Sequence, residues 1–172
     1  MNLQPTLMDD LITLRPLIDS DFEPLYEIAK DPLIWEQHPC FNRYRSKEYS
    51  EFFNDSLKSK GALIIIDKQN DKIIGSSRFK PVKKADNAIE IGWSFLSRNY
   101  WGGKYNRSMK TLMIDYAFKY MDDIIFYVGI QNLRSQKAVE KIGGHRVTQP
   151  QFSHLMKRVG QDWTYRINKK DW

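Results

Sequence analysis

The 172-residue chain reads as an α/β (α+β) protein, with a mixed, partly antiparallel sheet covered by helices. Three observations predict this. Three consecutive strand signals, 62–66, 72–79 and 88–96, form a meander. Helical stretches sit at both ends of that meander, as crossovers do. A continuous apolar run, 124–130, then stands between two helical patterns and closes the alternation.

The elements follow in order. "LITLRPL" (11–17) alternates enough for a strand, and Pro16 places its end at a sheet margin. "DSDFEPLYEIAK" carries a capping box, Ser20 as N-cap with Glu23 three residues on, and has Phe22, Leu25, Tyr26 and Ala29 at helical spacing. "DPLIWEQHPCFNRY" is broken by Pro32 and Pro39 and reads as short helical turns and loop. "ALIII" (62–66) is a buried run, and "KQND" turns the chain into "KIIGSSRF" (72–79). In "AIEIGWSFL" (88–96) strict alternation puts Ile89, Ile91, Trp93 and Phe95 on one face and Glu90, Gly92 and Ser94 on the other. Met109, Leu112, Met113, Tyr116, Ala117 and Tyr120 form a helical stripe of the core type. "NLRSQKAVEKIGG" is a short helix capped by Asn132 and closed by Gly143, and "HRVTQ" and "WTYRI" (163–167) end the chain as strands.

Bulk properties exclude several classes. The composition, 41% hydrophobic and 28% charged, is that of an ordinary globular domain, and the length suits one domain over 1–172. No apolar run approaches the ~20 residues of a membrane helix. The start lacks the basic, apolar and small-residue regions of a signal peptide. A lone cysteine, Cys40, excludes an internal disulfide and fits a reducing cytoplasm. Cys40, His38, His145 and His154 show no metal-ligand spacing, so no metal is expected. The net charge of +6 is uneven: residues 1–50 hold 5 bases against 9 acids, and residues 98–146 hold 9 against 4. Differently solvated faces would produce this, as would an anionic ligand near the second region and a cationic one near the first.

The stretch "RNYWGGKYNRSMK" (98–110) narrows the choice. Gly102 and Gly103 let backbone approach a ligand, and the first-turn N–H groups of the following helix favour an anion. Arg98, Lys104 and Arg107 add positive charge, although a glycine turn with solvated bases has the same composition. G-x-G-x-x-G is absent, which argues against a nicotinamide cofactor.

Taken together, "LITLRPL" with "DSDFEPLYEIAKDP", "IEIGWSFLSRNYWGG" and "NLRSQKAVEKIGG" resemble the GNAT superfamily of N-acetyltransferases, and within it the RimJ/RimL-like branch. The resemblance implies a mixed, mostly antiparallel sheet of about six to seven strands, split near its middle and flanked by about four helices. It also implies acetyl-CoA as acyl donor, held in the split. Trp93, Ser94 and Phe95 would pair with the pantetheine arm; Arg98, Trp101, Gly102, Gly103, Lys104, Tyr105, Asn106, Arg107 and Ser108 would form the pyrophosphate loop. Asn132 would cap the last helix beside the pantetheine, with Lys137 and Lys141 near the phosphates. The loop departs from the family pattern of Gln or Arg, two residues, Gly, one residue, then Gly or Ala. Trp101, Lys104 and Asn106 occupy those positions, so the glycine pair comes one residue early and close approach is expected to depend on Gly103.

For chemistry, Glu90 is the candidate general base, acting through water, with Gly92 leaving room beside it. The Tyr that many GNAT enzymes use as acid is replaced by Val139, which leaves Ser135 as the candidate acid. A covalent route through Cys40 and His38 would need a lowered thiol pKa, and direct attack is preferred. The acceptor is expected to be a small-molecule or peptide amine, cationic by the acidic excess of the first region, with Glu36 and His38 near its path. A homodimer is compatible with the sequence. Two rivals are a GNAT fold that binds CoA without turnover and a basic nucleic-acid-binding module; the latter lacks any recognised binding signature.

Overall fold

The computed structural model describes residues 1–83, 85–155 and 162–172. Its strands are β1 (Leu7–Met8), β2 (Ile12–Pro16), β3 (Ala62–Asp67), β4 (Lys72–Pro81), β5 (Ala88–Leu96), β6 (Asp123–Gly129), β7 (His145–Arg146) and β8 (Asp162–Asn168). They form one sheet in the order β1-β2-β3-β4-β5-β6-β8-β7. Every neighbouring pair is antiparallel except β5 and β6, which are parallel. The mixed, mostly antiparallel sheet is therefore as expected, with eight strands because a two-residue strand, β1, precedes the first one read from sequence. Among the described residues, no helix is long and apolar enough to cross a membrane.

The helices are α1 (Phe22–Ala29), α2 (Ser46–Lys58), α3 (Lys104–Ala117) and α4 (Leu133–Glu140). α3 covers one face of the sheet, where Met109, Met113, Ile114 and Ala117 pack with Ile12, Leu14, Leu63, Ile65, Ile89 and Ile91. On the opposite face Leu25 and Ala29 of α1 and Tyr49, Phe52 and Phe53 of α2 pack with Ala62, Ile64 and Phe95. The run in β3 is apolar throughout because it feeds both layers: odd-numbered residues point to α3 and even-numbered ones to α1 and α2.

Two local readings change. Ser20 does not cap α1; it lies in a 3-10 turn, Asp19–Asp21, and Asp21 takes the position before the helix. The Asp21 carboxylate accepts from the Ile18 N–H at 3.0 Å and pairs with Arg15 at 2.7 Å, so it braces the turn through side-chain charge. After the short turns comes a helix to which the sequence reading assigned no element, α2, which spans 13 residues. At α4 the reading holds: the Asn132 side chain accepts from the Ser135 N–H at 3.1 Å, and Gly143 sits at φ 91, beyond the helix end.

Candidate active site

The parallel strands β5 and β6 stay paired for only three residues, from Ala88↔Asp123 to Glu90↔Ile125, and then diverge. Where they part, β5 carries a bulge. Ser76 pairs with Phe95 and Arg78 with Gly92, so Ser77 stands against both Trp93 and Ser94, with Trp93 at φ 53. The extra residue reverses the strand's parity. Ile89 and Ile91 pack with α3, but Trp93 and Phe95 pack in the α1–α2 layer, which corrects the single face expected from alternation. Ser94 is turned instead toward α3, where Lys110 Nζ donates to its Oγ at 2.6 Å.

Two adjoining cavities fill the split. One, of about 190 Å³, is lined by Trp101, Gly102, Asn106 and Arg134 among others. The second, of about 300 Å³, is lined by Glu90, Gly92, Trp93, Arg43, Lys110, Tyr127 and Asp162. Trp35, His38, Ser94, Asn106, Asn132 and Ser135 border both. Helix α3 opens beside the first cavity. Its N-cap is Gly103, with no side-chain cap, so first-turn N–H groups and the helix dipole are left for a ligand.

The glycine that matters conformationally is Gly102. It sits at φ 71, a left-handed conformation, borders the cavity, and has no atom within 4 Å of where a Cβ would stand. Gly103 is at φ −111, ordinary for any residue, and lies outside both cavities with Lys104. Close approach at this loop therefore falls on Gly102, where the sequence pattern pointed to Gly103.

The structure sorts the remaining expected residues. Arg98 donates to Asp31 at 2.5 Å, and that hydrogen bond holds the Asp31 carboxyl below its usual value. The Tyr105 hydroxyl donates to Asp67 at 3.3 Å, and that of Ser108 donates to Asp9. Arg107, Lys137 and Lys141 are exposed and border neither cavity. Glu36 is also exposed, 3.8 Å from Arg134. Much of the acidic excess is thus paired locally, Asp21 with Arg15, Asp31 with Arg98, and Glu27 with Lys30. Around the cavities the structure gathers Glu90, Trp93, Ser94, Phe95, Trp101, Gly102, Asn106, Asn132, Ser135 and His38.

Three bordering residues were not singled out from sequence. Arg134 lies over the Trp101 ring at 4.1 Å and donates to the Ile34 carbonyl. Arg43 lies over Phe52 at 4.5 Å and faces His38 Nε2 at 3.2 Å; burial pulls its pKa down. Lys110 is 6% exposed, and burial pushes its ammonium down to about 7. The available signal for Lys110 was a base beside the apolar stripe, at a position that packs inward. Glu90 is half-buried, with a carboxylate oxygen 3.2 Å from where a Gly92 Cβ would be, so any larger residue there would crowd it. Nearby, burial and the Glu90 charge push Tyr127 up to about 12. Val139 is buried in the α3 layer and carries no proton to give. Cys40 is exposed, and its N–H donates to His38 Nδ1 at 2.9 Å. Among the described residues, no group of three or more His, Cys, Asp or Glu could hold a metal ion.

A profile of the acetyltransferase (GNAT) domain matches residues 12–145, from β2 through the start of β7. The chain belongs to the GNAT acetyltransferase family. An uncharacterized N-acetyltransferase, p20, from Bacillus licheniformis is 28% identical over 118 residues; the match spans 66% of this chain and 66% of the relative. A GNAT-family acetyltransferase from Bacillus anthracis shares the fold at TM-score 0.75 and 19% identity, covering 96% of this chain and 99% of that one. RimJ of Mycobacterium smegmatis, solved in complex with CoA-disulfide, aligns at TM-score 0.66 and 14% identity over 96% and 87% of the two chains. GNAT enzymes take their acyl group from acetyl-CoA, and this chain's residues fit that donor. The cleft has an open strand edge along β5, and the space a Gly102 Cβ would enter is clear beside the α3 N-terminus. Gly102 and Asn106 would receive the phosphates, and Ser94, Phe95 and Asn132 the pantetheine arm.

Proposed function

We propose that this chain acetylates a primary amine by direct attack on acetyl-CoA, with Glu90 as the base. The carrying observation is that Glu90 and Ser135 border one cavity at the strand split. An alkyl ammonium has a pKa of ~10.4 and must lose a proton before it can attack. The half-buried Glu90 carboxylate accepts that proton through a water molecule, and Ser135 offers its hydroxyl to the departing sulfur. An acceptor that arrives protonated is drawn by Glu90 and Asp162, which border the same cavity. The acids at and around α1 contribute less to that attraction, because Asp21 is paired with Arg15 and Glu27 with Lys30. In this reading His38, which borders both cavities, flanks the acceptor's path, and Glu36, which borders neither, does not. The single domain, the RimJ/RimL-like branch and a reducing cytoplasmic setting complete the reading; the branch rests on the motif order and the setting on the lone Cys40.

A thermal-shift titration with acetyl-CoA tests it. At ~100 Kd, binding adds ~2.7 kcal/mol of apparent stability. Glu90→Gln should keep that shift while lowering kcat by ~10²–10⁴-fold on any authentic amine acceptor. A chain that shifts with acetyl-CoA but acetylates no amine in a broad screen would be a binder without turnover.

A further inference from the structure

We propose that Lys110, acting through the Ser94 hydroxyl, is the proton source for the departing CoA sulfur. The inference rests on the acetyl-CoA reading and says where the leaving group's proton comes from. Lys110 lies on the second turn of α3, roughly 9 Å along the axis from the helix start. Its side chain is buried and enters the cleft floor at the strand split, with Nζ 5.4 Å from the Phe126 ring. Among the described residues Nζ makes one hydrogen bond, to Ser94 Oγ, and no ion pair. A buried ammonium without a carboxylate is costly and is seldom kept for packing.

The geometry around Ser94 sets the direction of transfer. Ser77 is fully buried, and its hydroxyl lies 2.7 Å from that of Ser94. Lys110 donates to Ser94 Oγ, and where Ser77 donates as well both Oγ lone pairs are occupied. The Ser94 hydroxyl's own proton then has a long contact to the Gly92 carbonyl, 3.4 Å from Oγ, and is the one it can pass to a ligand in the cleft. Ser94 is exposed and borders both cavities, so that proton meets whatever lies along β5. By contrast, Ser135 has no hydrogen bond among the described residues that could resupply a proton to its hydroxyl, so its role is to orient the sulfur.

The step balances. The amine lone pair forms the new C–N bond, and the C–S bond breaks with its electron pair passing to sulfur. Ser94 gives its hydroxyl proton to sulfur and takes one from Lys110, which becomes neutral. The proton lost by the amine goes to Glu90 and returns to Lys110 through solvent in the open cleft. An ammonium lowered by burial to about 7 can give a proton to a thiolate, whose free pKa is ~8.5. The other titratable or charged groups bordering the cavity are Glu90 on β5, Tyr127 on β6, Asp162 on β8, and His38, Cys40 and Arg43 on the segment before α2.

The test compares CoA with desulfo-CoA, which lacks the sulfur, by calorimetry. Wild type should bind CoA about tenfold more tightly, as a charge-assisted contact allows, and Lys110→Met should bind both alike. Ser94→Ala, a change on an exposed position, should also abolish the preference and serves if Lys110→Met does not fold. Ser135→Ala should keep most of the preference, because Ser135 orients the sulfur without supplying its proton. Turnover by Lys110→Met should fall by ~10²-fold or more and lose the alkaline decline expected as Lys110 deprotonates. Lys110→Arg keeps the charge but cannot release a proton, so it should restore the CoA preference without restoring turnover. If Lys110→Met, or Ser94→Ala in its place, discriminates sulfur as wild type does, the inference is overturned while the acetyl-CoA reading stands. If wild type binds neither compound, both fall.

Discussion

Single residues in the loop separate shape from charge. Gly102 holds a left-handed conformation that costs other residues about 1–2 kcal/mol, whereas Gly103 is at an angle any residue adopts. Gly102→Ala should therefore lower unfolding free energy by ~1 kcal/mol in urea titrations and weaken acetyl-CoA binding further, through the Cβ it places beside the cavity. Gly103→Ala should leave stability nearly unchanged. Equal losses at the two positions would mean that the loop leaves this path in solution. Lys110 shows the complementary case, in which position and charge decide and backbone conformation does not enter. Its neighbours Met109 and Met113 are fully buried, and the helix twist carries Lys110 into the cleft beside them.

At the level of elements, the strands and the last two helices were legible because each has a simple period. α2 was not. Tyr49, Phe52, Phe53 and Ser56 share its buried face at helical spacing, but Ser, Asn and Asp are spread through the segment and its N-terminus has no side-chain cap. Tertiary burial therefore defines this helix more than local signals do. Phe53→Ala should cost about 3–5 kcal/mol in chemical denaturation, because it removes a ring held edge-on to Phe22 at 5.1 Å and leaves a cavity under the sheet. A cost below ~1 kcal/mol would show that α2 is only loosely docked. The bulge in β5 was hidden for a different reason. Alternation continues through "EIGWSF", and only the register against β4 shows that one residue is extra. That single residue turns Ser94 toward Lys110. The candidate base, the glycine loop and the Asn132 cap were readable, but the Lys110–Ser94 pair was not, because it joins α3 to a strand parity the sequence does not display. Charge was the weakest guide: Arg98, expected at the phosphates, pairs with Asp31, and within the acidic excess of the first region Glu27 pairs with Lys30.

Across the whole molecule, the buried ionisable groups predict how stability varies with pH. Lys110 titrates near 7 when folded and near ~10.4 when unfolded, so between those values the unfolded chain binds more protons and stability rises with pH. Burial raises Tyr127 to about 12 and Tyr49 further still, so above ~10 the folded chain keeps protons the unfolded chain loses, and stability falls again. At the acid end Asp31 is held low by its hydrogen bond from Arg98. Asp9 is held low despite burial, by Ser108 and by the Ile12 and Leu11 N–H groups. Stability from these carboxyls is present above ~3.9 and lost on acidification. The wild-type Tm should thus peak on the alkaline side of neutrality, near pH 9–10 (about the crossover of the lysine and tyrosine effects). Lys110→Met removes the lysine contribution and leaves the others, so its Tm should be nearly level from pH 7 to about 10. The difference between the two proteins should favour the variant at neutral pH and vanish as pH approaches ~10.4. A stabilised variant with impaired turnover is what a charge retained for chemistry predicts. Parallel Tm curves for the two proteins, measured from pH 5 to 11 in matched ionic strength, would show instead that the folded chain solvates Lys110 as well as the unfolded chain does.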